Sequence, residues 1–145
     1  MNPATSIVAV LSITLICGAS AYAQDPTAAA PALALKGYDT VSYFKNNGPV
    51  KGLPEFRHDW DGVRYQFSSA QYKAAFTADP DRYTPQFAAL CATGVSMGKK
   101  VEADPNVWKI VDGKLYVFSS TKAREMAEKD PAVLDRSREL WPRLK

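Results

Sequence analysis

One stretch of the chain is spelled twice. Asp61 to Pro80 reads DGVRYQFSSAQYKAAFTADP, and Asp112 to Pro131 reads DGKLYVFSSTKAREMAEKDP, with eight of the twenty positions identical and no gap needed. The shared letters are structural punctuation: Asp-Gly at the start, Phe-Ser-Ser in the middle, Asp-Pro at the end. Asp-Gly between two alternating apolar runs suits a two-residue hairpin turn, because glycine takes positive φ readily. A serine just beyond an aromatic strand caps a helix, and proline fits the first helical position. The same succession met twice predicts one β-hairpin–helix (ββα) unit used twice. The expected fold is therefore α+β, a small single domain in which the two hairpins form an antiparallel sheet with helices packed on it.

In the first copy, Phe56, His58 and Trp60 alternate with charged residues, and Val63, Tyr65 and Phe67 alternate after the turn. The tight turn pairs Trp60 with Val63, His58 with Tyr65 and Phe56 with Phe67, which places His58 on the apolar face. Ser68 or Ser69 caps the following helix, with Gln71 completing a capping-box pattern after Ser68, and Tyr72, Ala75 and Phe76 form its inner stripe. In the second copy, Trp108–Val111 and Lys114–Phe118 flank the turn, and Ser119 or Ser120 caps a helix through Lys129. A final helix opens at Asp130-Pro131, buries Val133, Leu134, Leu140 and Trp141, and stops at Pro142. Between the copies, Thr84–Pro105 carries Cys91 among small apolar residues and predicts a short helix to Val95 closed by Met97-Gly98. Ahead of the first copy lies ALALKGYDTVSYF, Ala32 to Phe44, followed by a polar Gly/Pro loop.

The first 24 residues carry no charge, Ile7–Cys17 is almost continuously apolar, and Ala21-Tyr22-Ala23 has the small-x-small form of a signal-peptidase site. Residues 1–23 are read as a signal peptide, 24–31 as a flexible lead-in and 32–145 as the folded domain. The expected location is periplasmic or secreted, with membrane attachment only if the signal segment stays uncleaved. The 18 Lys and Arg against 15 Asp and Glu give a net charge of +3. That small excess, interspersed with acids, is no nucleic-acid footprint. Removal of the signal leaves Cys91 as the only thiol beside His58, the only histidine. No internal disulfide and no four-ligand Cys/His zinc site can then be assembled.

The run HDWDGVRYQFSSAQYKAAFTADPDRY, His58 to Tyr83, resembles the YHS domain, a small module related to metal-binding TRASH-like domains. GYDTVSYF, FTADPDRYTPQFAALCATGVSMGKKVEADPNVW and VDGKLYVFSS resemble the exported subgroup of that family, and the resemblance spans Leu35 to Phe118. It implies a metal-handling scaffold whose thiolates would stand at Ser42, Ser68 and Tyr72, with Thr40 in place of an opening proline. Hydroxyls are poor ligands for soft metals, so the thiolate site is lost here. The exported subgroup also implies a cysteine in a Tyr-Gly-Gly-Tyr-Cys context. Cys91 matches it, with Phe87-Ala88-Ala89-Leu90 in front. Alanines where a Gly-Gly pair would let a ligand or backbone approach fill that space.

Cys91 has three readings from the residues. It can be a small buried hydrophobe, a thiolate that joins His58 and Met97 around Cu(I) or another transition-metal ion, or a nucleophile with His58 as base. His58, on the inner hairpin face, is equally a hydrogen-bonded core residue. The tyrosines, Tyr38, Tyr43 and Tyr65 among them, are half-buried strand aromatics or, with Cys91, the lining of a cleft between the two units. Asp39, Asp79, Asp104 and Asp130 sit beside turns or prolines and read as caps and turn-formers. No acid/base pair, phosphate loop, serine elbow or zinc-protease helix is spelled. The sequence reading is thus an exported, non-enzymatic YHS-type binding module for a metal ion or small ligand, with its protein partners unspecified. The alternative is a thiol-dependent redox or enzymatic protein acting through Cys91.

Overall fold

Both Asp-Gly pairs make the turn their spelling predicts. Asp61 and Gly62 take φ of 48° and 74°, and Asp112 and Gly113 take 51° and 72°, the paired positive values of a type I′ turn. The computed structural model describes residues 29–45 and 48–145, so the expected signal peptide lies outside the described residues.

The order of elements is β1 (Ala32–Leu33), a 3-10 turn (Ala34–Gly37), α1 (Ser42–Lys45), β2 (Leu53–Trp60), β3 (Val63–Phe67), α2 (Ala70–Ala78) and α3 (Pro80–Tyr83). A second 3-10 turn (Gln86–Ala89) follows, then α4 (Ala92–Ser96), β4 (Asp104–Val111), β5 (Lys114–Phe118), α5 (Thr121–Lys129) and α6 (Ala132–Leu144). The fold is a small α+β domain.

The two hairpins carry the same irregularity. In the first, Trp60 faces Val63 and His58 faces Tyr65, but a register shift then makes Leu53, not the expected Phe56, the partner of Phe67. In the second, Val111 faces Lys114, and the shift makes Asp104 the partner of Phe118. Each displaced pair lies fifty-one positions from its counterpart. A bulge of this kind bends one strand away from its neighbour, and alternation alone carries no trace of it.

The caps fall on the second serine of each Ser-Ser pair. Ser69 Oγ accepts from the Tyr72 N–H at 3.2 Å, and Ser120 Oγ accepts from the Ala123 N–H at 3.2 Å. Gln71 therefore does not complete a capping box, and Ser68 is free for another task. The last helix passes through Pro142 to Leu144 rather than stopping there, because a proline in the final turn removes only one terminal bond.

The correspondence extends beyond the hairpins. Tyr38 donates its N–H to the Leu35 carbonyl at 3.1 Å, and Leu90 does the same to Phe87 at 3.0 Å. Asp39 N–H meets Val50 O at 2.8 Å, and Cys91 N–H meets Val101 O at 2.8 Å. Tyr38 bridges Lys51, and Leu90 bridges Glu102. Both 3-10 turns are left-handed inside: Leu35, Lys36 and Gly37 have positive φ, as do Phe87, Ala88 and Ala89.

The hairpins do not join into the one sheet expected from the sequence. They form two, ordered β1-β3-β2 and β4-β5. The inner edge of each is already occupied: β1 pairs with β3 in parallel, and Cys91 bridges Val117 of β5 in parallel. The halves meet by packing instead. One cluster gathers Val41, Tyr65, Phe67, Phe76 and Tyr83 of the first half, and a second gathers Phe87, Cys91, Val95, Tyr116, Phe118, Val133 and Leu134. A third joins Leu35 and Tyr43 to Ala103, Leu115 and Val117 across the junction. Alternate residues of β5 thus face its own helices and the other half, so this strand reads as an unbroken buried run.

Candidate functional site

A cleft of about 320 Å³ lies at the junction of the halves. The first half contributes Ala34, Val63 and Tyr65 to its wall, and the second contributes the left-handed turn Phe87-Ala88-Ala89 together with Arg138 and Trp141 of α6. Burial holds the Tyr65 phenol above the ordinary tyrosine pKa, with the neighbouring Thr84 side chain acting in the opposite direction. Phe87 and Trp141 stack edge to face with ring centres 5.8 Å apart. Arg138 is anchored: its Nε and Nη2 donate to the buried Tyr116 hydroxyl at 3.2 and 3.0 Å, and Nη1 pairs with Asp135. Lys145 adds a second cation to the rim, against one carboxylate from Asp61. Aromatic walls with a fixed guanidinium beside them suit a flat anion.

The turn that forms this wall is backbone under strain. Phe87, Ala88 and Ala89 have φ of 57°, 51° and 63° in succession, a conformation that costs an L-residue about 1–2 kcal/mol each. In the equivalent turn one of the three places is Gly37, at φ 80°. Glycine would relieve that cost at Ala88 and Ala89, because it takes positive φ readily.

Asp39, read as a turn-former, is a fully buried carboxylate that organises the first half. Its Oδ1 accepts from the N–H groups of Val41 and Ser42 at 2.9 and 3.3 Å, and its Oδ2 accepts from the N–H and hydroxyl of Ser68, both at 2.7 Å. The first two are the bonds of an Asx turn. The pair from Ser68, twenty-nine residues away, is a tertiary tie that no local signal announces. Ser42 Oγ donates to Asp39 O at 2.7 Å or Gly48 O at 2.9 Å, and accepts from the Val50 N–H at 3.3 Å. Thr40 Oγ1, buried between them, has no hydrogen-bond partner among the described residues.

The expected metal donors sit in different surroundings. Cys91 is a free thiol, 1% exposed, within the core cluster of the second half. The His58 ring packs on Phe76 of the first-half core at 6.0 Å between ring centres. Met97 follows α4 and is 56% exposed. Among the described residues, no group of three or more His, Cys, Asp and Glu could hold a metal ion.

Of the expected ligand-binding residues, Tyr65 alone lines the cleft. Tyr43 is buried, donates to Pro105 O at 2.7 Å across the junction and meets Trp108 edge to face at 5.2 Å. Burial, with Tyr38 and Asp104 nearby, pushes its phenol well above the usual range. Tyr38 is half-buried beneath the Lys51 ammonium, 4.2 Å from the ring centre. Both are structural ties. The sequence reading missed Arg138 and Trp141 as cleft residues. Their signal was available only as a cation and an aromatic three apart on the last helix, a spacing that puts them on one face.

No protein-family model matches the chain, and neither does any curated protein or any solved structure. No helix among the described residues is long and apolar enough to cross a membrane.

Proposed function

We propose that the chain is an exported, non-enzymatic binding module of the YHS type, and that it holds a small organic anion with a flat apolar body in the cleft between its halves. The observation that carries this reading is the cleft itself, with Tyr65, Phe87 and Trp141 as walls and the anchored Arg138 guanidinium beside them. The two halves, in this reading, are copies of one unit, and the cleft is what their pairing encloses. The hydrogen-bond knot around Asp39 supports a ligand other than a soft metal. Ser42 and Ser68, which occupy two positions where the resemblance expects thiolates, give their hydroxyls to Asp39 instead. The burial of Cys91 argues against a thiol nucleophile, which needs access as well as ionisation.

Titration of the isotope-labelled protein with benzoate tests the reading. Saturable shifts of the Phe87, Ala88 and Ala89 amides are expected, weakened about tenfold in Arg138→Gln, the loss of roughly one charge-assisted hydrogen bond. Benzamide should bind more weakly than benzoate. Equal binding would remove the anion preference, and no shift with either compound would remove the cleft as the site.

A further inference from the structure

We infer that the second half carries a separate binding pocket for a monocyclic aromatic compound, in the place that a phenylalanine of the chain fills in the first half. A pocket of about 180 Å³ lies between the second hairpin and its helices, lined chiefly by Val111, Phe118, Ala127 and Leu134, with Lys109 and Glu128 at its polar edge. None of these residues lines the cleft at the junction.

The hairpin registers supply the correspondence. Phe118 stands fifty-one positions after Phe67, Lys109 after His58, Leu134 after Tyr83 and Ala127 after Phe76. In the first half, Phe76 is fully buried, and its ring lies 5.0 Å from Phe67, 4.6 Å from Tyr65 and 6.0 Å from His58. The second half keeps the two strand aromatics, as Tyr116 and Phe118, but has a methyl group where that ring stands. Its remaining walls did not collapse onto Ala127, and the space stays open as the pocket. The lining is strongly apolar. The polar groups beside it are matched to each other, Lys109 Nζ bonding Glu128 Oε1 at 3.1 Å, so the interior offers little to water. Apolar cavities of about 150 Å³ stay dry and take up benzene. The opening thus has volume enough for a phenyl ring, and the neighbouring half shows which faces a ring there would use.

Toluene is the probe, added to the isotope-labelled full chain. The expected result is a saturable shift of the Val111, Phe118 and Leu134 signals at millimolar toluene, with little change at Phe87–Ala89. Ala127→Phe refills the place with a ring of the chain and should abolish those shifts. Should that variant fail to fold, Ala127→Leu fills part of the space and should weaken toluene binding at least about tenfold. Absence of a saturable shift at the three residues up to the solubility of toluene overturns the inference. So does binding that persists unchanged in the folded Ala127 variants, or shifts confined to the junction cleft.

Discussion

Asp39 and Cys91 stand at the same station of the two halves, each giving its N–H to a valine carbonyl at 2.8 Å just after a left-handed turn. One is a carboxylate with four donors around it. The other is a thiol among apolar side chains. The backbone arrangement is shared, while the side chain at its centre makes one half depend on a polar tie and the other on packing. The same contrast recurs at Phe76 and Ala127, where one half is filled by its own ring and the other is left open. A shared hydrogen-bond frame leaves the interior of each half to differ.

Removing the two side chains at that station should give the largest separation. Asp39→Ala strands the N–H groups of buried Val41 and part-buried Ser68, and the Ser68 hydroxyl. At about 1–3 kcal/mol for each unsatisfied donor, it is expected to lower stability by about 5 kcal/mol. Cys91→Ala removes one sulfur from a packed cluster and should cost about 1 kcal/mol. Urea unfolding of the two variants measures both. Equal losses would mean that the polar tie is incidental and that the halves are held alike.

The interior contrast predicts a smaller but still large effect. Phe76→Ala empties a fully buried ring position and should cost about 3–5 kcal/mol. Ala127→Phe, placed in an existing opening of about 180 Å³, should leave the unfolding midpoint unchanged or raise it. A loss at Ala127→Phe as large as the loss at Phe76→Ala would show that the second half has closed around its alanine in a way the first has not.

The junction between the halves has a pH signature of its own. Tyr43, which ties α1 to Pro105, has a folded-state pKa raised far above that of the unfolded chain by burial. Above about pH 10 the unfolded chain releases this proton and the folded protein keeps it. Stability should therefore be level below that pH and then fall as pH rises, by up to about 1.4 kcal/mol per unit for this one group. Tyr43→Phe gives up one hydrogen bond, about 1 kcal/mol, and should flatten the decline measured by thermal unfolding between neutral and alkaline pH. An unchanged slope would assign the alkaline loss to Tyr65 or to groups outside the junction.

The sequence was most informative where chemistry is local. Asp-Gly turns, serine caps and the Asp-Pro helix openings are each settled by a few adjacent residues, and they lie where the spelling places them, the cap falling on the second serine of each pair. The bulge before Phe67, the separation into two sheets and the tie from Asp39 to Ser68 were not legible. Each depends on which strand edge or side chain a distant segment occupies, and neither alternation nor punctuation records that. Of the candidate site, Tyr65 could be placed at the inter-unit cleft because the hairpin register put it on the inner face. Arg138 and Trp141 could not, because nothing along the last helix says which face meets the first half. His58 and Cys91 show the converse: chemically suited residues, one packed against Phe76 and the other buried in the second-half core.

The left-handed turns give the smallest and most discriminating test of whether the two halves keep their shared frame at a cost. Ala88→Gly and Ala89→Gly each relieve a residue at φ above 50°. The gain is offset by the greater freedom of glycine in the unfolded chain, so each should stabilise by about 0.5–1 kcal/mol. Gly37→Ala, the reverse change in the first half, meets positive φ and also crowding, since a methyl there would lie 3.0 Å from Gln66 Oε1 and 3.2 Å from Leu33 Cδ2. It should destabilise by more than either glycine gains. Ala88 and Ala89 also line the cleft, so benzoate titration of the same variants separates two roles for their methyl groups. Raised stability with unchanged affinity would make the strain a relic of substitution at positions suited to glycine. Raised stability with weakened binding would make those methyl groups part of the surface that the ligand touches, and the strain would then persist because binding depends on it.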